Sequence, residues 1–246
     1  MLGKEIQMKK LILTCVVALM GVISYSSEQP DHTIWDRLLQ AHVSSSGKVK
    51  YKSMKIKMDT LDAYLRELID HPPASDWSKS AKKAYYINAY NAYCIKFVLT
   101  KYPTKSVNDI SFSGKEIWDF RMVKLGEKTT NLRSLENDIL RKMGDSRIHF
   151  AINCASYSCP KLWNRAYTES NVNSRMTKMA KAFVNDPKKN IITEKKIQIS
   201  KIFEWYKEDF VKPGQTLIQY LNKYSNVTIS PKAKVEYLEY NWALNE

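Results

Sequence analysis

Along the chain, apolar positions recur with two periods. From Thr33 to Val43 the set Ile34, Trp35, Leu38 and Leu39, joined by His42, returns every three or four residues, the spacing of a helix with one buried face, and Thr33 is placed to cap it. The same spacing at Leu61, Tyr64, Leu65 and Leu68 predicts a helix over about 58–69, stopped by His71-Pro72-Pro73. Between them Lys48, Lys50 and Lys52 alternate with Val49 and Tyr51, the two-residue period of a short strand with lysines outward. A third helix, over about 80–100, is apolar nearly all round beyond Lys83 and ends at Tyr102-Pro103; such a helix is buried.

Beyond it the pattern predicts a hairpin about Gly126, between 120–125 and 128–132. A helix over 132–143 comes next, capped by Asn131 and ended by Gly144. Arg147 to Asn153 reads as a central strand, and Pro160 as the first residue of a short helix. Then come a helix over 169–184, a hairpin over 191–199, helices over 203–210 and 216–224, and a strand over 235–242. Helices mixed with antiparallel hairpins define an α+β class. No repeat, linker or composition break divides 30–246, so one domain is expected, its buried central helix packed on a mostly antiparallel sheet.

Residues 1–26 stand apart. Lys4, Lys9 and Lys10 precede an apolar run from Leu11 to Ser24, too short to span a bilayer comfortably, and Ser24 and Ser26 put small residues where a signal peptide would be cut before Ser27. The sequence therefore predicts a signal peptide over 1–26 and an exported protein, periplasmic or extracellular, with no membrane span after processing. Lipidation at Cys15 is the weaker option, because only four residues separate it from the lysines.

Export changes how charge and cysteine are read. The full chain of 246 residues carries a formal charge of +14; losing three lysines and one glutamate with the leader leaves +12. The lysines are scattered and greatly outnumber the arginines, unlike the arginine-and-aromatic stripes of nucleic-acid binders, so no nucleic-acid partner is expected. Four cysteines are far too few for a disulfide scaffold. Cys94, Cys154 and Cys159 remain after processing, and an odd number leaves at least one free thiol or an intermolecular bridge.

The chemistry concentrates in Arg147-Ile-His-Phe-Ala-Ile-Asn-Cys-Ala-Ser-Tyr-Ser-Cys-Pro160. If Pro160 opens a helix, Cys159 is its N-cap, where unpaired amides and the helix dipole stabilise a thiolate. His149, on the expected strand, is the candidate base, and Glu136, on the capped helix, the group that would orient it. Cys154 is the alternative nucleophile. Arg147, Ser156 and Ser158 border the same turn as candidate substrate contacts. On the buried helix Asn88 and Asn91 share a face, and their amides would either tie that helix to neighbouring carbonyls or line a pocket as oxyanion donors. Cys154 and Cys159 could instead bridge, leaving Cys94 as the free thiol. No metal is expected, since His-x4-Cys-x4-Cys lacks the close Cys-x2-Cys pair of structural zinc, and no cofactor motif is present.

Asn88-Ala-Tyr-Asn91, Tyr102-Pro103, the Arg147–Pro160 stretch, Ile202-Phe-Glu-Trp-Tyr-Lys-Glu-Asp-Phe210 and Tyr240-Asn-Trp-Ala-Leu-Asn245 together resemble the domain of unknown function 547 family, from about Trp35 to the C-terminus. Glu136, Arg141, Arg147, His149, Cys154, Ser156, Ser158 and Cys159 fall on its motif positions. Tyr240-Asn241-Trp242 departs from the usual Tyr-Asp-Trp. The resemblance implies a location for the site and no particular reaction. The residues allow two functions: a cysteine-dependent hydrolase or acyltransferase acting on peptide or envelope amides, or a non-catalytic module binding a small molecule, peptide or envelope polymer, its Cys154–Cys159 turn structural.

Overall fold

The computed structural model describes residues 27–246. The expected leader, its cut site and Cys15 lie outside the described residues. Two amphipathic helices form as the spacing requires, α1 at Thr33–His42 and α3 at Met58–Asp70, with an unexpected α2 at Tyr51–Lys55 between them; α1 buries Trp35, Leu38 and Leu39, and α3 buries Leu61, Tyr64, Leu65 and Leu68. The strand expected at 49–51 is reduced to one bridge, Val43 to Val49, because Tyr51 turns directly into α2. Tyr51 and Met54 are both buried, so a helical period overrides the short alternation.

Helix α4, Lys79–Lys101, is the axis of the molecule. Ser78 caps it, its hydroxyl accepting the Ala81 amide at 3.1 Å. Sixteen of its residues are buried, among them Asn88, Asn91 and Cys94. Its main neighbours are α3, the helix over 132–143 and α6 (Val172–Val184). The sheet expected beneath it is broken into three small pieces. Two are antiparallel hairpins, β1–β2 (Ser111–Phe112 with Lys115–Glu116) and β3–β4 (Val123–Leu125 with Lys128–Thr130). The third joins β5 (Ile191–Ile192) antiparallel to β6 (Lys196–Ile199) and β6 parallel to β7 (Lys234–Tyr237). The α+β class stands, with small, mostly antiparallel sheets.

The segment 132–143, here α5, changes pitch as it runs. Asn131 caps its start by accepting the Ser134 amide at 2.8 Å. It then widens to a π turn over Leu135–Leu140 and tightens to a 3-10 turn over Arg141–Met143, where Gly144, at φ 72°, ends it in the left-handed region. Short helices α7 (Ile202–Trp205), α8 (Lys207–Phe210) and α9 (Leu217–Leu221) close the far side.

Two apolar clusters fill the interior, one around α4 and one around Phe150, Phe183, Phe203 and Phe210. The segment 148–152 lies between them: Ile148, Ala151 and Ile152 face the first, Phe150 the second. No helix among the described residues is long and apolar enough to cross a membrane.

Candidate active site

The segment expected as a central strand is a 3-10 turn, Ser146–Phe150, capped by Asp145. Alternating burial on a strand and burial on both sides of a tight turn leave similar sequences, and here two cores compete for successive residues. The turn sends Phe150 into one core and leaves His149 3% exposed, its ring 4.1 Å from that of Tyr206. Nor does Pro160 open a helix; 160–163 is extended and irregular. Cys159 therefore lacks the helix dipole expected to stabilise its thiolate.

Side-chain amides from α4 anchor the chain on either side of the cysteine turn. Asn91 donates to the Ala151 carbonyl at 3.0 Å and accepts the Asn153 amide at 2.8 Å. Asn88 clamps Tyr167 the same way, at 2.7 and 3.0 Å. Both side chains are spent on the backbone, so they position the site and do not enter it. Asn153 in turn accepts the Ala155 amide at 2.9 Å and donates to the Pro160 carbonyl at 2.7 Å, closing the loop on itself. Ala155, directly after Cys154, holds φ 63°, a left-handed conformation that a residue with a Cβ adopts only when its surroundings enforce it. The C-terminal stretch of chain supplies that enforcement: Ser158 and Asn241 exchange bonds at 3.1 and 2.9 Å, and Asn245 donates its amide to the Ala155 carbonyl at 3.0 Å.

Within this loop the two sulfurs have different lives. Both cysteines are free thiols, as is Cys94 inside α4. Burial opposes ionisation of Cys154, but hydrogen bonds from Cys159, Ser156 and Tyr240, and from the Ser156 amide, outweigh it and bring the thiol down to about 7. Cys154 Sγ lies 2.9 Å from Ser156 Oγ and 3.3 Å from the Tyr240 hydroxyl. Cys159, 6% exposed, is pushed well above the usual thiol value by burial and by the negative charge its neighbour carries. Its Sγ accepts the Cys154 amide at 3.0 Å. Of the two, Cys154 is the thiol whose ionisation its surroundings favour, whereas burial opposes that of Cys159.

His149 is oriented by Asp209, not Glu136. Its Nε2 lies 2.7 Å from Asp209 Oδ2. Arg141 grips the same carboxylate from the other side, Nε at 2.7 Å and Nη2 at 3.2 Å, and reaches Glu208 as well. Burial would raise the Asp209 carboxyl, yet the His149 and Arg141 bonds take it down to about 2. Glu136 lies elsewhere on the same wall, receiving the Tyr90 hydroxyl at 3.3 Å and that of Tyr206.

Cys154, Cys159, His149 and Glu136 all line one cavity of about 170 Å³, with Tyr206, Tyr240, Trp118, Trp205 and Trp242 as its aromatic walls. Of the other expected contacts, Ser156 touches the Cys154 sulfur, Ser158 serves the backbone of Asn241, and Arg147 is turned away: it pairs with Asp145 at 2.7 Å and Thr177 at 2.7 Å. Sequence reasoning missed Asp209, Tyr206 and Tyr240 as site residues. The signal was present: Glu208-Asp209 comes after an aromatic run within the Ile202–Phe210 motif, and Tyr240 opens the terminal one.

Fold and site together define an α+β protein in which a paired-cysteine turn and a histidine line one aromatic cavity, the histidine bonded in turn to an aspartate and an arginine. Residues 74–184, a little under half of the chain, match the model of the family described as protein of unknown function, DUF547. The match covers Glu136, Arg141, His149 and both cysteines of the turn; Asp209 and Tyr240 lie beyond it. No curated protein and no solved structure matches the chain.

Proposed function

We propose that this protein is an exported cysteine-dependent hydrolase or acyltransferase acting on peptide or envelope amides. The observation that carries the proposal is the Cys154 thiol, lowered to about 7 in a cavity that His149, bonded to Asp209 behind it, also lines. A lowered thiol holds more of its thiolate, the nucleophilic form, near neutral pH. Its sulfur attacks an amide carbonyl carbon, and the carbonyl electron pair moves onto oxygen. Collapse of that intermediate breaks the C–N bond, with protonated His149 giving its proton to the departing nitrogen. A thioester on Cys154 remains. His149, neutral again, takes a proton from water or an incoming amine, which attacks the thioester and releases the Cys154 thiolate. Asp209, anchored by Arg141, fixes the orientation of the ring.

A small activated ester, p-nitrophenyl acetate, tests the reading without knowledge of the substrate. The expected result is a burst of one p-nitrophenolate per chain, an acetyl group mapped to Cys154, no burst in Cys154→Ser, and slow deacylation in His149→Ala. Acetyl found on other residues, or deacylation indifferent to His149, would overturn it. The second reading, a binding module whose turn is closed by a disulfide, draws support from the sulfur-to-sulfur hydrogen bond, which puts the thiols within easy reach of oxidation. It predicts that Cys154 resists iodoacetamide until a reductant is added. N-terminal sequencing of material from outside the cell tests export: a chain starting near Ser27 supports it, one starting at Met1 contradicts it.

A further inference from the structure

Among the partly or fully buried carboxylates near the site, Glu136 is the odd one. Asp209 has Arg141 and His149 within hydrogen-bond distance, and Asp145 has Arg147 and Lys83. Glu136 is 9% exposed and forms no ion pair among the described residues; its partners are the phenol hydroxyls of Tyr90 and Tyr206. A carboxylate so enclosed loses much of its hydration, and two phenols replace only part of it. The one arginine on the cavity wall does not neutralise it. Arg133 is held by Asp119 through Nε at 2.7 Å and Nη2 at 3.0 Å, on the outer rim.

Other rings lining the same cavity are of the kind that accept a cation. Trp205, Tyr240 and Trp242 form a mutually packed cluster, with centroids 4.8 Å apart for Trp205–Tyr240 and 4.6 Å for Tyr240–Trp242, and Trp205 is 46% exposed at the rim. An uncompensated carboxylate together with aromatic faces is the pairing that recognises an ammonium group. Resting on the catalytic reading of Cys154, we infer that the substrate carries a cationic group, such as a primary ammonium, beside the carbonyl under attack. Glu136 is its counterion, and Trp205, Tyr240 and Trp242 are its wall. The chain as a whole is strongly basic, +14, so its long-range field repels cations; selectivity for one must come from the cavity itself.

The probes are two methanethiosulfonates that differ only in the charge of the tail, 2-aminoethyl and 2-sulfonatoethyl. The thiolate of Cys154 attacks the sulfenyl sulfur, a disulfide forms, and methanesulfinate leaves with the bonding pair. Rates at Cys154 are read by mass spectrometry in full-length Cys159→Ser protein, so that the adduct is not resolved by its neighbour, and divided by the rates with N-acetylcysteine. The corrected rate for the aminoethyl reagent is expected to exceed that for the sulfonatoethyl reagent by about tenfold, the worth of one charge-assisted bond. Glu136→Gln, which keeps the side-chain shape, should bring the ratio to unity or below. Trp205→Ala, at the exposed rim, should lower it about twofold and serves if the first variant fails to fold. A native ratio at or below unity, or one that Glu136→Gln leaves unchanged, overturns the cation site while leaving Cys154 a competent nucleophile. If Cys154 reacts with neither reagent, the catalytic reading fails, and the cation site with it.

Discussion

Two aspartates hold one short turn, Asp145 at its cap as a strut and Asp209 through the ring of His149, and the difference between them lies in their partners. Asp145 caps Ser146–Phe150 and is gripped by Arg147 at 2.9 and 2.7 Å and by Lys83 at 2.6 Å. Arg147 is itself fastened to α6, through Thr177 and the Asn173 carbonyl. Every partner carries a permanent charge, so the cluster has one state and its work is to hold the turn against α6. Asp209 has a permanent cation, Arg141, on one side only; on the other it has the imidazole of His149. On the proposed function the same ingredients, with one partner an imidazole that lines a cavity, orient a catalytic base.

Neutralising each aspartate in turn is the strongest test of this contrast. Asp145→Asn leaves two enclosed cations short of a partner, and allowing for partial exposure it should cost roughly 2–4 kcal/mol. For a chain of this size that lowers Tm by roughly 5–15 °C. The rate of Cys154 alkylation should stay within about twofold of native, because nothing at the sulfur has moved. Asp209→Asn should do the reverse, costing about 1 kcal/mol of stability while slowing thioester hydrolysis on the order of 100-fold. Calorimetry and burst kinetics on the two variants decide it. Equal losses in both measurements would erase the distinction.

Acid separates the same two residues by another route. Burial disfavours ionisation of both carboxyls, but the hydrogen bonds from Arg147 and Lys83 hold Asp145 far below the ordinary range, and those from His149 and Arg141 hold Asp209 at about 2. A carboxyl depressed in the folded state adds its full stability above its unfolded value, about 4. That stability is lost as the pH falls toward the folded value. Native stability should therefore drop between about pH 4 and pH 2, and Asp145→Asn should show the shallower drop in urea titrations across that window. A parallel drop in both proteins would contradict the strut.

How much of this was legible in the sequence depends on which force set each position. α1, α3 and α4 were readable because one face, or all of it, had to be buried, and Asn131 and Gly144 marked the ends of α5 by local backbone chemistry alone. The turn at Ser146–Phe150 was not readable. Its residues are pulled alternately by two cores that belong to distant parts of the chain, and Ile148, Phe150 and Ile152 alternate whether the backbone is a strand or a tight turn. Pro160 misled for a related reason: the bonds that close the loop come from Asn153, Asn241 and Asn245, so no helix is needed there. His149 and the two cysteines stand out because they share one short stretch of chain. Their orienting acid does not: Glu136 is the carboxylate among the motif positions, but the fold brings Asp209 from sixty positions away. Spacing reports on faces of local elements; it does not report which remote carboxylate arrives.

The two thiols offer a finer test of the turn. Tyr240 lies against the Cys154 sulfur at 3.3 Å and is one of the bonds that lower it. Tyr240→Phe should raise the thiol by about half a unit and slow iodoacetamide labelling of Cys154 about threefold at pH 7. The difference should vanish above about pH 9, where both proteins are thiolate. Cys159 and Cys94, both raised by burial, should remain unlabelled at neutral pH in native and variant alike. Rapid labelling of Cys159 in the native protein would reverse the assignment of the nucleophile.

The mildest effect separates the two serines of the turn. Ser156 Oγ lies 2.9 Å from the Cys154 sulfur and 3.0 Å from the Tyr240 hydroxyl, whereas Ser158 Oγ accepts the Asn241 amide at 2.9 Å and touches neither sulfur. Each sits close to a cysteine in sequence, and only the loop's path distinguishes them. Ser158→Ala removes one of the bonds that seat the C-terminal stretch of chain on the loop, at a cost of about 1 kcal/mol. That stretch keeps its other contacts, including the Tyr157 amide to the Ala243 carbonyl at 2.6 Å. Labelling of Cys154 at pH 7 should then change less than about twofold. Ser156→Ala strips the sulfur of a hydrogen bond and should slow labelling as Tyr240→Phe does, with pH profiles of both variants shifted upward. Were Ser158→Ala to shift the profile as far as Ser156→Ala, the low thiol would be a property of the loop's overall tightness, and the hydrogen bonds at the sulfur would not be its cause.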